Sequence, residues 1–525
     1  MAEGRVPGGY SERLYNEDLA PAKERKWGTY SLFALWMSDV HNLGNYTFAA
    51  GLFVLGLTAW EVLVSLAVGF TIVFVGMNLM GFAGQRTGVP FPVFSRLSFG
   101  IWGANIPALI RAIIAIAWYG IQTYLAALAI NVLLLVLAPG LSSLEESSFL
   151  GLSYLGWVSF VALWFVQLVI LTRGIETVRK YQDWAGPIIW IVMLLMAAWL
   201  WVQAGGISFT QSINPLSTGE TLRAMGIGAV LTVATYITLM LNFCDFSRFT
   251  PTRRAIVRGN FLGLPINGTA FAVVSVITTA GALEVYGEVI TDPAYILARV
   301  PNPFLLVLGA LLFAAATIGV NIVANFVSPA YDLANVWPKR INFQRGGLIS
   351  AVVAVLVLPW NLYSNPVVIN YFLGGLGAIL GPLFGIMITD YYFVRRGRVV
   401  IDDLFRDGTS GAYYYSRGIN LTAVWVFVPA ALVSCVIALW PPLAPVAPFA
   451  LFFGGALAAV IYYFAMRNHP SLALAGEAGR REGAPARAGE PNPALVETES
   501  EESEDVEGQH RAVFDEDARD RRDER

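Results

Sequence analysis

Apolar runs of about 20 residues, the length that crosses a bilayer as a helix, recur along most of the chain. They fall near 29–56, 60–82, 104–138, 150–171, 184–204, 221–244, 260–283, 303–328, 347–362, 367–394, 419–440 and 446–466. The pattern predicts an all-α integral membrane protein of about twelve transmembrane helices. Two runs depart from plain apolarity. The first, inside Trp27 to Leu57, reads Ser38-Asp39-Val40-His41-Asn42-Leu43-Gly44-Asn45-Tyr46. An unsatisfied backbone group in hydrocarbon costs roughly several kcal/mol, so such a break survives only under protein or beside a water-filled cavity. The sixth carries Gly226-Ile227-Gly228, then Thr232, Thr235, Tyr236 and Thr238, and ends Asn242-Phe243-Cys244-Asp245. Interruptions five spans apart predict a 5+5 inverted-repeat core with broken helices 1 and 6, plus two C-terminal helices. The competing reading of span six is that its small and hydroxyl residues line helix contacts.

Positive charge sets the orientation. Lys23, Arg25 and Lys26 precede span one; Arg86 and Arg96 follow span two; Arg173, Arg179 and Lys180 follow span four. The alternation continues with Arg248, Arg253, Arg254 and Arg258 after span six, Lys339, Arg340 and Arg345 after span eight, and Arg395, Arg396 and Arg398 after span ten. The opposite loops hold Glu145, Glu146, Glu220, Glu284, Glu288 and Asp292, with Arg299 the exception. Both termini are thus expected in the cytoplasm, with the chain multi-pass in the cell membrane. Residues 1–26 read as a polar N-terminal segment without the features of a cleaved signal. Residues 27–466 read as the transporter domain. Residues 467–525 read as a disordered acidic tail, with six acidic residues among the nine from Glu497 to Asp505. Between spans two and three, Gln85 to Gly103 is too broken for a span and too apolar for a loop, so a re-entrant or interfacial segment is expected.

Composition narrows the function. Of 525 residues 56% are hydrophobic and 14% charged, against about 25% charged in soluble domains. Cys244 and Cys435 are the cysteines, and His41, His469 and His510 the histidines. They form no disulfide framework, metal spacing or nucleophile constellation. The chain therefore does not read as an enzyme, and no metal, cofactor or nucleic-acid partner is expected. Its partners are a small solute and membrane lipid, and it reads as a monomer.

Polar side chains inside spans are the functional candidates. Trp118 and Gln122 are four apart and share one face of span three. An indole beside a primary amide suits a flat heterocycle, the ring stacking and the amide reading its edge; the bland reading is helix packing. Asn321 and Asn325 share a face of span eight, as interior glue or as a solute contact. Asp39 and His41 are the titratable groups at the span-one break, where Asp39 either exchanges protons or caps the second half-helix. Arg111 is expected to snorkel at the cytoplasmic end of span three. Asp245, Asp332, Asp390 and Glu176, at span ends, are expected to cap helices or pair with loop arginines.

With these residues in hand, the chain resembles the nucleobase–cation symporter-1 family, which includes hydantoin, allantoin, uracil and cytosine permeases. The resemblance covers roughly residues 15–465. It is carried by Asn16-Glu17-Asp18-Leu19-Ala20-Pro21, Trp36 to Asn42, Phe99-Gly100, Arg111 to Gln122, Asn242 to Arg248, Asn325 to Asp332, and Leu380-Gly381-Pro382 to Arg396. It implies that Trp118 stacks on the substrate, that Gln122 and Asn325 read its edges, that Tyr236 closes the sandwich and that Asn42 lies close by. Tyr236 stands where hydantoin carriers have tryptophan, and Asn42 is shorter than their glutamine. Both favour a nucleobase or allantoin-like ureide over a bulky aryl-hydantoin. The family's sodium site maps to Ser38, His41, Ala316, Gly319 and Val320, of which the last two lack the family's hydroxyls. Proton coupling through Asp39 or His41 is therefore favoured over sodium. Leu373 to Leu380, with Gly374, Gly375 and Gly377, maps to the outer lid. An amino-acid symporter of the same fold, or a transporter-like receptor or channel, is the rival reading.

Overall fold

The computed structural model describes residues 6–472 except 42, 211–213, 289, 291–295, 297, 298, 300–302 and 365. A helix stands at every expected span position. Among the described residues, 8 of them are long and apolar enough to cross a membrane by length and composition. Span one is two helices, Thr29–Val40 and Leu43–Val54, parted at His41. Span two, Ala59–Thr87, begins at a reciprocal cap in which Thr58 accepts from the Glu61 N–H and Glu61 accepts from the Thr58 N–H. Span three is Asn105–Leu137, and spans four and five are Tyr154–Thr172 and Ile175–Gln203. Span six is Thr218–Asn242. Span seven joins Arg253–Phe261 to Asn267–Tyr286 through a π-helical turn, Leu262–Ile266, that holds Pro265. Span eight runs Pro303–Val320, widens to a π-helix over Asn321–Val327 and continues as Ser328–Val336. Phe343–Leu356, Pro366–Ile388, Leu421–Leu439 and Ala450–Met466 are spans nine to twelve.

Packing sorts these helices into groups. Spans one, two, six and seven pack on one another; spans three, four, eight and nine form a second group; spans ten to twelve form a third that touches span six. Span five bridges the first two, against spans one, seven and eight. Burial follows. The apolar window of span eight is 88% buried, whereas spans eleven and twelve bury 33% and leave Trp425, Leu432, Phe453 and Phe464 exposed. Apolar surface this extensive is unfavourable in water, so such side chains belong in lipid.

Span six is interrupted near its end. It does not open between Gly226 and Thr238; the interruption lies lower, at Phe243, before the short helix Cys244–Ser247. Its hydroxyls stay with their own helix: Thr232 Oγ1 donates to Gly228 O and Thr235 Oγ1 to Leu231 O. Gly228 is a packing point, since a Cβ there would stand 2.4 Å from Ser65 Oγ on span two. The segment between spans two and three is a buried elbow of two short helices, Phe91–Phe94 and Arg96–Phe99.

The N-terminal segment is stitched to loops of both helix groups. Arg25 Nη1 donates to Gln85 O, Asn16 Nδ2 to Ile341 O and Arg96 Nη2 to Leu14 O. Arg248 Nη2 donates to Asp18 O, and the Ser11 N–H to Phe405 O. The Lys339 ammonium, 2.7 Å from Glu12, holds that carboxyl below its usual range. The arginine-rich loops after spans two, six, eight and ten thus gather at one end with the N-terminus. Asn42 and residues 473–525 of the tail lie outside the described residues.

Candidate functional site

At the span-one break the last helical carbonyls have lost their own amide partners. Asn45 repairs one: its Nδ2 donates to Val40 O at 2.8 Å and to the Tyr236 hydroxyl at 2.8 Å. One amide thereby ties the stump of the first half-helix to span six. The Tyr236 ring is fixed edge-on against Trp36 and Phe70. On span three Trp118 is half-buried and leans on Phe372 of span ten, centroids 6.3 Å apart.

Between these elements lies a cavity of about 400 Å³. Trp118 and Gln122, paired by their spacing in the sequence, and Tyr236 and Asn325, pointed to by the family resemblance, all line it. Asp39, Asn45 and Phe48 face it from span one, and Leu376, Gly377 and Ala378 from span ten. The polar groups are held in readiness. Gln122 is 8% exposed and its Oε1 is buried without a hydrogen-bond partner among the described residues. Such an acceptor costs about 1–3 kcal/mol unless a donor reaches it. Asn325 Nδ2 donates to Asn321 Oδ1 at 3.1 Å, which aims the amide.

Asn321 does not reach the cavity. Its Nδ2 lies within bonding distance of Tyr119 O, Thr123 Oγ1 and Gln167 Oε1, at 3.0, 2.9 and 2.7 Å. It stands behind Asn325 as a strut, and the π-helical widening of Asn321–Val327 brings the pair to this position. The cation-site positions converge where spans one and eight meet. A Cβ on Gly319 would stand 2.3 Å from Ser38 Oγ, so the Ser38 hydroxyl fills the room of a side chain at 319. Ser38 Oγ is buried without a hydrogen-bond partner among the described residues. Gly319 O already accepts from Gln182 Nε2, Val320 lines the cavity, and Ala316 is buried. The His41 ring sits away from the cavity between Trp190 and Phe271, at 4.6 and 5.0 Å.

Arg111 does not snorkel. It is fully buried, with Nη2 donating to Ala324 O at 2.6 Å and with Nε and Nη1 lacking acceptors among the described residues. Asp332 neither caps a helix nor pairs; both its oxygens are buried without a hydrogen-bond partner among the described residues. Among the described residues no ion pair joins Arg111 to Asp332. They sit two helical turns below Trp118 and Asn325, on the side of the N-terminal segment. The other acids behave as expected: Asp245 Oδ1 accepts from the Phe91 N–H, Asp390 pairs with Arg395, and Glu176 with Arg179.

A central cavity walled by an interrupted helix and ringed with aromatic and amide groups defines a secondary transporter. The comparisons agree. The family model for permeases of cytosine/purines, uracil, thiamine and allantoin matches residues 20–458. The allantoin permease of Bacillus subtilis is 38% identical over 472 residues, 89% of this chain and 96% of that one. The purine-uracil permease NCS1 of Arabidopsis thaliana is 33% identical over 427 residues, 80% of this chain and 70% of that one. Among solved structures, Mhp1, a nucleobase-cation-symport-1 family transporter in a closed conformation with bromovinylhydantoin bound, aligns with a TM-score of 0.71 at 26% identity, covering 89% of this chain and all of that one. The chain belongs to the nucleobase–cation symporter-1 family of membrane permeases. It is a multi-pass transporter, not an enzyme.

The roles of Asn45, Arg111 and Asp332 escaped the sequence reading. The signal for each was present as a polar residue within an apolar run. Only its partner, on another span, gives it a role.

Proposed function

We propose that this permease imports a planar nucleobase or ureide, of the uracil, cytosine, allantoin or hydantoin class, by cation-coupled alternating access with protons preferred over sodium. The observation that supports this best is the convergence of Trp118, Gln122, Tyr236 and Asn325 on one cavity, with the Gln122 carbonyl oxygen unpaired. The indole stacks on the heterocycle, and the phenol ring of Tyr236 bounds its other face. Gln122 accepts from a ring N–H, and Asn325 reads a carbonyl or amide edge, with Asn42 the remaining contact on the family pattern. The allantoin permease name of the 38% identical relative makes allantoin the first compound to test.

Proton coupling is supported by the donor set. A sodium site at Ser38, His41, Ala316, Gly319 and Val320 has the Ser38 hydroxyl as its one side-chain oxygen, and hard cations prefer a full oxygen shell. Of the two titratable candidates, Asp39 faces the cavity and His41 does not. The rocking element is the group of spans one, two, six and seven, moving against spans three, four, eight and nine. Span ten acts as the outer lid, and the arginine-rich end faces the cytoplasm. No bond of the solute is made or broken.

The test is uptake into proteoliposomes, over a panel of these compounds, under separately imposed proton and sodium gradients. Saturable uptake of one of them, driven by the proton gradient alone, is expected. Trp118→Ala should abolish saturable uptake while leaving a monodisperse, folded protein; wild-type kinetics in that variant would remove the stacking role.

A further inference from the structure

The ends of spans ten and twelve on the arginine-rich side enclose a second cavity, of about 360 Å³, far from the transport site. Arg395, Arg396, Arg398, Arg467, Asn468 and Phe393 line it. Among the described residues no carboxylate pairs with Arg396, Arg398 or Arg467. Arg395 is the built part of the site. It is 4% exposed, and its Nε donates to Asp390 Oδ2 at 2.9 Å. Its Nη2 donates to Leu97 O and to the Tyr415 hydroxyl. Asp390 is held in turn by Ser98 Oγ at 3.1 Å and the Tyr462 hydroxyl at 3.0 Å. Yet Arg395 Nη1 is buried with no acceptor among the described residues. A rigid guanidinium with an unmet donor, beside three unpaired guanidiniums, calls for an anion rich in acceptor oxygens.

The surroundings say where that anion comes from. Phe393 is 63% and Phe464 60% exposed on the lipid-facing flank, and the Arg467 guanidinium lies 5.1 Å over the Phe464 ring. Apolar surface below and arginines above is the profile of the headgroup layer. We propose that this cavity binds the phosphate of an anionic phospholipid, whose acyl chains lie over Phe393 and Phe464. The bound lipid bridges spans ten and twelve and, through Asp390 and Arg395, the elbow at Leu97 and Ser98.

The turn offers a clean variant. Arg396 has φ of 54°, a left-handed conformation that glycine adopts without strain. Arg396→Gly therefore removes a guanidinium and relaxes the backbone. In native mass spectrometry of the full-length protein, phosphatidylglycerol should be retained over phosphatidylcholine by roughly tenfold or more, since several arginines attract one anionic headgroup. The combined variant Arg396→Gly, Arg398→Gln, Arg467→Gln should bring the two lipids level without lowering Tm in lipid-free detergent. Equal retention by the wild type, or retention unchanged in the combined variant, overturns the proposal. So does retention of neither lipid, as when the acidic stretch Glu497–Asp505 covers the arginines instead. Inorganic phosphate raising Tm as far as phosphatidylglycerol does would assign the arginines to a free anion and overturn the lipid reading.

Discussion

In span one the helix stops at Val40 and resumes at Leu43; in span six it runs from Thr218 to Asn242 before interruption at Phe243. Both carry glycine and hydroxyl residues within an apolar run. What separates them is where the backbone and polar groups find partners. In span one Asn45 reaches back to the Val40 carbonyl, and the break is roofed by Tyr236 and the cavity wall. In span six the threonine hydroxyls bond carbonyls four residues back, and Gly228 is spent on close approach to span two. An apolar solvent tolerates an opened helix only where a neighbour supplies the missing bonds. Span one has that neighbour, and the upper part of span six does not need one.

The contrast can be broken by experiment. Asn45→Ala should have the largest effect. It orphans the Val40 carbonyl and the Tyr236 hydroxyl, at about 1–3 kcal/mol each. Radiolabel uptake should fall by at least tenfold with a lowered Tm; unchanged uptake would mean that the break closes without this amide. Gly228→Ala should come next, because overpacking a tight contact costs about 1–3 kcal/mol. A lower Tm is expected, and full tolerance would indicate that span six opens there after all. Gly319→Ala is expected to be comparable or smaller, since the Ser38 hydroxyl has to move from within 2.3 Å of the new methyl. Its companion Ser38→Ala/Gly319→Ser/Val320→Thr transfers hydroxyls to span eight. It should introduce sodium stimulation of uptake if their absence is what disfavours sodium, and no sodium effect would separate ion choice from these positions. The smallest effect is Gly226→Ala, on the same helix with no atom within 4 Å of the new Cβ. It should raise stability by about 0.4–1 kcal/mol, as in any continuous helix; destabilisation would place a real break at that turn.

Much of the site was legible because membranes make polar residues conspicuous. Trp118 and Gln122, one turn apart in an apolar span, point at one ligand face on spacing alone. Tyr236 and Asn325 needed the family resemblance, since one reads as packing and the other as glue. Asn321 shares the spacing and face of Asn325 but is consumed by Tyr119, Thr123 and Gln167, a distinction that depends on two other helices. Arg111 reads as a residue that reaches for the headgroups, as long side chains near helix ends do. It turns inward, where Ala324 O on span eight accepts from its Nη2. No local feature of span three carries that information.

The amino-acid sequence by itself determined that the chain lives in lipid, where its spans lie, which loops share a side and that span one breaks, because apolar length, charge placement and backbone desolvation act locally. Tertiary structure decided which glycines open a helix and which pack one. It decided which amides face the cavity and which arginines turn inward. The reason is common to all of these: in a medium without water, the fate of a polar group is set by the partner that another span brings to it.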